Sequence, residues 1–439
     1  MGWTKITLWK RVMVGLLLGL GLGLGLRYGV GPEAASSFAA DWLEPFGSAF
    51  VNLIKMLVVP LIIVTLVSGV TAMGDPGKLG SLGARTIGLY MATTAFAVTL
   101  GLIMGTLLKP GEGVDFGEAS ADDLSNVQGR IETGSGAANA GALEKIFAII
   151  PDNIFISMTD GATGNVLQII FFSLLFGAAC LVAGEAAKPL TRVIDSAAEV
   201  MLKLTVMIME LAPIGVFFLM SWVMATRGLS VLDNLARLAI ALYLACFLHM
   251  IFVHGFGIVR GILGLPMVRF FRGIRDAQAV AFSTASSAGT LPVTITNVSE
   301  NLGVKKSVAS SVLPVGATIN MDGTAIYLGL VALFAAQAIP GIEMGFADYI
   351  AVAFAATAAS IGAAAIPSAG LLLAYAVLSV IGVSEAQALQ IIAFIFPFDR
   401  LLDMMRTVTN VTGDAAVASA VANWEGELDR EVFEAESVI

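Results

Sequence analysis

Apolar residues in this chain come in long runs, separated by short clusters of glycine, proline and charge. Runs at residues 6–31, 45–73, 83–108, 144–184, 190–226 and 234–263 reach or exceed the ~20 residues a helix needs to cross a bilayer. The longer ones predict tilted or broken helices, with Pro60, Pro151 and Pro213 as break points. The Gly-Leu repeat of the first run is like the core of a signal peptide. No small-residue cleavage site follows it, so it predicts a retained helix.

After residue 275 the pattern changes. Residues 277–299 form two apolar arms around Ala285-Ser286-Ser287-Ala288-Gly289-Thr290, and 345–382 repeat the arrangement around Gly362 to Gly370. Each arm is too short to span. Non-helical backbone at membrane depth persists only where protein or a watery cavity satisfies it, which predicts two re-entrant hairpins with their tips at a common site. The alternative is a pair of ordinary spans packed through small residues. Each hairpin precedes a long segment with a polar interruption: Asn320-Met321-Asp322-Gly323-Thr324 after the first, and Asp399 to Asp414 after the second. A hairpin followed by a broken helix, repeated, predicts the inverted-repeat core of a transporter.

The second interruption carries the chemistry. On a helix, Asp403, Arg406, Thr407, Asn410 and Asp414 fall at roughly 0°, 300°, 40°, 340° and 20°, one narrow face. Ionised groups at membrane depth are costly, so this stripe is predicted to face a polar cavity and to pair internally or with a ligand. A surface helix with a solvated charged face is the alternative, which the flanking Ile391 to Phe398 and Ala415 to Ala422 oppose.

Composition agrees with a polytopic membrane protein: 57% of the 439 residues are hydrophobic and 13% charged, and the mean hydropathy is +0.88. The net charge of -9 resides largely in one loop and in the tail, and no basic cluster suggests nucleic acid. Lys5, Lys10, Arg11, Lys78, Arg85, Arg260, Arg269, Arg272 and Arg275 mark inner segments, and the Gly-, Ser- and acid-rich linker 109–143 an outer loop. Cys180 and Cys246 sit in separate apolar runs and suggest neither a disulfide nor a metal site. His249 and His254 share one run, show no obvious chemical partner, and are assigned a structural role.

Ser286-Ser287-Ala288-Gly289-Thr290-Leu291-Pro292, Asn320-Met321-Asp322-Gly323-Thr324 and Asp403-x-x-Arg406-Thr407-x-x-Asn410-x-x-x-Asp414, in that order, resemble the glutamate transporter family of dicarboxylate/amino acid:cation symporters, and the likeness runs from the first span to the last. It implies an all-α membrane protein with eight transmembrane helices, two re-entrant helical hairpins and an elevator fold. It also implies a homotrimer in the cell inner (plasma) membrane with both termini cytoplasmic. Residues 1–73 and 144–226 would form the scaffold (helices 1, 2, 4 and 5). Helix 3 at 83–108 and residues 234–423 would form the moving transport domain, and 424–439 a cytoplasmic tail.

By resemblance, Arg406 would hold the substrate's side-chain carboxylate and Asp403 its ammonium. Asn410, Ser286, Ser287 and hairpin backbone would serve the α-carboxylate. Thr324, Thr407 and Gly370 would line the pocket, Ile366 would cover it, and Met321 would couple ions to substrate. About three sodium sites are implied: Asp414, Asn410 and the carbonyls of Gly316 and Asn320; Thr318 with backbone near Ser360, Ile361 and Ala363; and Tyr90, Thr93, Thr94, Asn320 and Asp322. All supply hard oxygen ligands, and no His or Cys cluster competes for a transition metal.

This chain departs from the family at several positions. Ala285 stands where archaeal members have an arginine and Met404 where animal members place its equivalent. Arg400, one turn away, is the candidate substitute. Ala365 and Ser368 replace frequent glycines of the second tip, which implies a stiffer gate. Leu328 replaces the glutamate of potassium-counterporting relatives. The reading is sodium-driven uptake of aspartate or glutamate, and relatives that carry succinate or malate lack the acid at Asp403. The alternatives are proton-coupled glutamate/aspartate symport and C4-dicarboxylate symport. An intramembrane hydrolase built on Ser286 or Ser287 lacks a nearby base, and the buried acids oppose a passive anion channel.

Overall fold

The computed structural model describes residues 8–71, 76–114, 150–159, 166–361 and 368–435. Those residues are almost entirely helical, and the only β pairing among them is the bridge between Val304 and Leu428. Five stretches among them are long and apolar enough to cross a membrane: Lys10–Val30, Arg85–Leu108, Gln168–Met209, Leu232–Ile262 and Lys306–Ala338.

Helices α1 (Leu8–Val30) and α2 (Pro32–Trp42) are separated by Gly31, whose φ of 90° turns the chain. The sequence pattern did not predict α2. Helix α3 (Glu44–Thr71) runs straight through Pro60, so that proline is not a break point. Helix α4 (Pro76–Leu108) follows, then α5 (Ile154–Thr159), α6 (Val166–Ala183) and α7 (Lys188–Met209). Helix α8 (Ala212–Arg227) begins beside Pro213, in a first turn where a missing N–H costs nothing, and here the expected break occurs. The glycines of the first run have a packing role. A Cβ at Gly15, Gly19 or Gly23 would lie 2.2 Å, 2.6 Å or 2.5 Å from backbone or Cβ atoms of α8, so these one-turn-spaced glycines seat α1 directly on α8.

Helix α9 (Ser230–Leu248) continues without interruption into a wider π-helical stretch, His249–Ile262. After α10 (Met267–Gly273), two ten-residue helices, α11 (Arg275–Thr284) and α12 (Ser287–Thr296), pack against each other as the first hairpin. At ~1.5 Å per residue each arm is about 15 Å long, half of the ~30 Å hydrocarbon core, so neither can span it. Helix α13 (Lys306–Ile319) and helix α14 (Asp322–Ala338) are separated by Asn320 and Met321, whose backbone is not helical. The second hairpin has arms α15 (Phe346–Ile361) and α16 (Ala369–Val380). Ala363, Ala365 and Ile366 of its tip, like most of the 109–143 linker, lie outside the described residues.

The sequence pattern predicted a broken helix after each hairpin. The structure has a break only after the first, because α17 (Glu385–Glu425) runs unbroken for 41 residues. A reciprocal capping box between Ser384 and Gln387 starts it, and Gly426 in left-handed geometry ends it. Its polar stripe pairs partly within the helix, through Arg406 with Asp399 and Asp403, and partly with Ser368, Gly323, Asn320 and Met321 on neighbouring elements. The tail folds back: Asp429 caps α18 (Arg430–Glu434), Phe433 is buried, and Arg430 Nη2 donates to the Leu263 carbonyl at 2.8 Å.

Helices α1, α2, α3, α6, α7 and α8 pack mainly among themselves. A second group, α4 with α9 to α17, packs around the almost wholly buried α14.

Candidate functional site

The second hairpin, the start of α14 and the middle of α17 meet at Arg406, which is fully buried, and the first hairpin packs on α17 at Arg400 and Thr412. Its Nη2 lies 2.6 Å from Asp403 Oδ1 and 3.2 Å from Asp399 Oδ1, and its guanidinium stacks 4.1 Å from the centroid of the Tyr327 ring. Asp403 and Arg406 are thus in direct contact, one helical turn apart. Arg406 Nε and Nη1 have no hydrogen-bond partner among the described residues. Leaving charged donors buried and unmet is costly, so this arrangement suits an incoming anion.

Gly370 opens the space beside them. A Cβ there would meet Arg406 Nη1 at 2.9 Å and Thr324 Cγ2 at 3.0 Å. The second hairpin closes onto the site through Ser368, whose N–H donates to Asp403 Oδ2 at 2.7 Å. Ser368 adopts left-handed geometry at φ 63°, strained for a residue with a side chain, which is the backbone a glycine would relax. At the first tip, Ala285 is also left-handed, and Ser286 caps α12 by accepting the Gly289 N–H at 3.1 Å. Ser287 is buried in the first turn of α12. Arg400 Nη2 donates to the Thr284 carbonyl at 2.8 Å, so an α17 cation does reach the tip that lacks its own arginine.

Further along the stripe, Thr407 Oγ1 bonds back to the Asp403 carbonyl, while Asn410 bridges to the helix break. Its Oδ1 accepts the Gly323 N–H at 2.7 Å and its Nδ2 donates to Met321 Sδ at 3.1 Å. A thioether is a weak acceptor, so Nδ2 is the more available half of that amide. Asp414 Oδ1 accepts Asn320 Nδ2 at 3.0 Å. Gly316 is so close that a Cβ would stand 2.5 Å from that carboxylate and 2.4 Å from the Tyr90 hydroxyl. Oxygen atoms dominate this group, a donor set that fits an alkali cation.

Thr318 and Ser360 are not joined. Their hydroxyls bond back to Val315 and Thr357 on their own helices, and Ile361 is half-buried beside Ser360. Thr93 and Thr94 do gather at Asp322: Oδ1 accepts Thr94 Oγ1 at 2.8 Å and Thr93 Oγ1 at 3.4 Å. The Tyr90 hydroxyl instead donates to the Val312 carbonyl at 3.3 Å.

Sequence reasoning left Asp399 and Tyr327 without a role. Asp399 lies one turn before Asp403, a spacing that places it on the same stripe, and Tyr327 lies one turn after Thr324. The two histidines require a correction, for they do have a chemical partner. His249 Nε2 and His254 Nε2 each sit 3.0 Å from Asp322 Oδ2, forming with it a buried cluster of potential metal ligands. In an α-helix residues five apart diverge by about 140°. The π-helical widening brings them to one side, and nothing in the sequence pattern announces it.

A buried ion-pair site held between short hairpins and a helix break, within a bundle of membrane-length helices, defines a membrane transporter rather than an enzyme. Comparison with known proteins agrees. The sodium:dicarboxylate symporter family matches residues 8–424, and the chain belongs to that family. It is 35% identical over 427 residues to the proton/sodium-glutamate symport protein of Geobacillus stearothermophilus, covering 97% of this chain and 96% of that protein. Identity is also 35% with the proton/glutamate-aspartate symporter of Escherichia coli (strain K12), over 97% of this chain and 94% of that protein. The C4-dicarboxylate transport protein of Rhodopseudomonas palustris is 32% identical over 96% of this chain and 88% of its own.

Proposed function

We propose that the protein is a secondary active symporter that couples uptake of an acidic amino acid, aspartate or glutamate, to a sodium gradient. The observation that carries this reading is the Arg406 guanidinium, buried beside Asp403 and Asp399 with Nε and Nη1 unpartnered among the described residues. A planar fork with free donors suits a carboxylate, and an adjacent carboxylate suits an ammonium. Substrate entry would insert between Arg406 and Asp403, exchanging their mutual pairing for contacts with its own charges. Asn410, Ser287 and the first-hairpin backbone would take the α-carboxylate, and Thr324, Thr407 and Gly370 would shape the pocket. Asp414 with the carbonyls of Gly316 and Asn320 would hold a co-transported sodium, and Thr318 with second-hairpin backbone another.

The protein would work as a homotrimer in the plasma membrane, with both termini on the inner side. Helices α1, α2, α3, α6, α7 and α8 would be the fixed scaffold, and α4 with α9 to α17 would slide as an elevator. The grouping of helix contacts supports this division. The gate would be the second hairpin, which holds Asp403 through Ser368 when closed.

Two relatives named for proton coupling favour a second reading, in which protons drive uptake. Uptake of radiolabelled aspartate by purified protein in liposomes tests both. Accumulation under a sodium gradient without a proton gradient is expected. Accumulation in sodium-free buffer under a proton gradient alone would establish the second reading.

A further inference from the structure

Asp322 opens α14 and is completely buried. Its carboxylate meets four protein groups: Thr94 and Thr93 hydroxyls on Oδ1, and His249 Nε2 and His254 Nε2 on Oδ2. The far nitrogens fix the state of the two rings. Both Nδ1 atoms are buried without a hydrogen-bond partner among the described residues. A proton on Nδ1 would be an orphaned buried donor, whereas on Nε2 it finds the carboxylate, so each neutral ring presents Nε2–H to Asp322. The Thr93 proton has a nearer acceptor in the Tyr90 carbonyl at 3.0 Å, so the carboxylate accepts three firm donors, Thr94 and the two rings, and both lone-pair positions of Oδ2 are filled by ring N–H groups.

From this arrangement we infer that His249 and His254 close Asp322 to sodium, so that the oxygens gathered by Thr93, Thr94, Asn320 and Asp322 do not form a cation site in this chain. Two features make the site unsuitable for a hard cation. On one side of the carboxylate the inner ligands are ring N–H groups, whose hydrogens face the position an ion would take. On the other, the Tyr90 hydroxyl makes no hydrogen bond to Asp322 and lies beside Asp414, a Cβ at Gly316 standing 2.4 Å from that hydroxyl and 2.5 Å from Asp414 Oδ1. His254 and Asn320 are also packed closely against α17: a Cβ at Gly413 would stand 3.0 Å from His254 Nε2 and 2.7 Å from Asn320 Nδ2. A transition metal fits no better. It would need the Nε2 lone pairs, and metal-bound imidazoles ordinarily donate their second nitrogen to an acceptor, which neither Nδ1 has. The π-helical stretch has a role on this account, because only its widened turn brings both rings to one oxygen. The histidines thus act as a built-in replacement for an ion, and the carrier moves one sodium fewer per cycle than an open Asp322 site would allow.

The inference extends the proposed symport but is tested apart from it, by sodium-dependent thermal stabilisation of the purified full-length protein. An ion that binds the folded state alone raises the melting temperature as its concentration rises. In wild-type protein, Asp322→Asn is expected to leave the sodium-dependent shift unchanged. His249→Ala/His254→Ala is expected to uncover the carboxylate and add a further shift, which Asp322→Asn in the same background removes. His249→Gln/His254→Gln, which keeps N–H donors, is expected to behave as wild type. Loss of the wild-type sodium shift in Asp322→Asn would overturn the inference, as would the absence of any added shift in a folded double-alanine variant. Stabilisation of the wild type by micromolar zinc, abolished by the alanines, would overturn it in favour of a transition-metal site. Should the alanine variant not fold, the ratio of sodium to aspartate taken up by wild type and by the glutamine variant decides. A ratio as large as three would reject the closed site, and failure of sodium to drive uptake at all would reject only the proposed coupling.

Discussion

Ser368 donates its backbone N–H to Asp403 at 2.7 Å, which ties the tip of the second hairpin to the acid proposed to hold the substrate's ammonium. On the proposed function the same carboxylate would serve both the closed gate and the ligand. Replacing Asp403 by Asn keeps an acceptor for Ser368 but removes the charge an ammonium needs. Asp403→Asn is expected to lose aspartate uptake, and succinate, expected to compete weakly in wild type, is expected to compete no worse than aspartate in the variant. Competition assays in proteoliposomes read both, and equal inhibition by the two compounds in wild type would instead identify a dicarboxylate carrier.

Removing the guanidinium has a larger effect. Arg406→Cys leaves Asp399 and Asp403 buried without their cation, a change that costs ~3–5 kcal/mol where a buried pair is broken. Aspartate affinity is expected to fall at least ~100-fold, about 2.8 kcal/mol. A small neutral amino acid such as serine, with no distal carboxylate to satisfy, is expected to be tolerated. Isothermal titration with both amino acids checks this, and undiminished aspartate affinity would remove Arg406 from its role.

Arg400 makes a separable contribution. Its bond to the Thr284 carbonyl braces the first tip, and a hydrogen bond from a charged group is worth about 1.5–3 kcal/mol. Arg400→Ala is expected to weaken aspartate binding by about tenfold or more at that energy while leaving the preference for acidic substrates in place. Concentration-dependent uptake with aspartate and serine distinguishes this from the Arg406 phenotype.

Asp414 is buried on the polar stripe, close to Gly316 and the Tyr90 hydroxyl. Asp414→Asn is expected to abolish the sodium dependence of aspartate binding. Internal potassium is expected to have no effect on uptake, since Leu328 carries no ionisable group. Flux measurements with varied external sodium and internal potassium examine both points.

The α1–α8 contact offers a test outside the site. Gly15 lies so close to the Pro213 carbonyl that any side chain overpacks it, a change that typically costs ~1–3 kcal/mol. Gly21 has nothing within 4 Å of its would-be Cβ. Gly15→Leu is expected to lower the melting temperature of the detergent-solubilised protein, and Gly21→Leu to leave it unchanged.

The sequence by itself determined the class of protein. Runs of apolar residues longer than a soluble core needs can only be satisfied in lipid, and polar residues within them must face one another, so the spans and the stripe from Asp403 to Asp414 were legible from spacing alone. Helical periodicity also put Arg406 next to Asp403, because residues one turn apart on one helix need no tertiary information to meet. What depended on other elements was not legible. Tyr327 under Arg406, Ser368 on Asp403 and Arg400 at Thr284 join residues from 35 to 116 positions apart, brought together only by how hairpins and helices pack. Periodicity misjudged Pro60, which α3 absorbs, and the second polar interruption, which α17 carries without a break, its charges pairing along the helix and with the Ser368 N–H. His249 and His254 are the clearest case. Their five-residue spacing diverges on an α-helix and converges on Asp322 only in the wider π turn, a local backbone choice that the hydrophobic pattern does not encode and that tertiary packing decides.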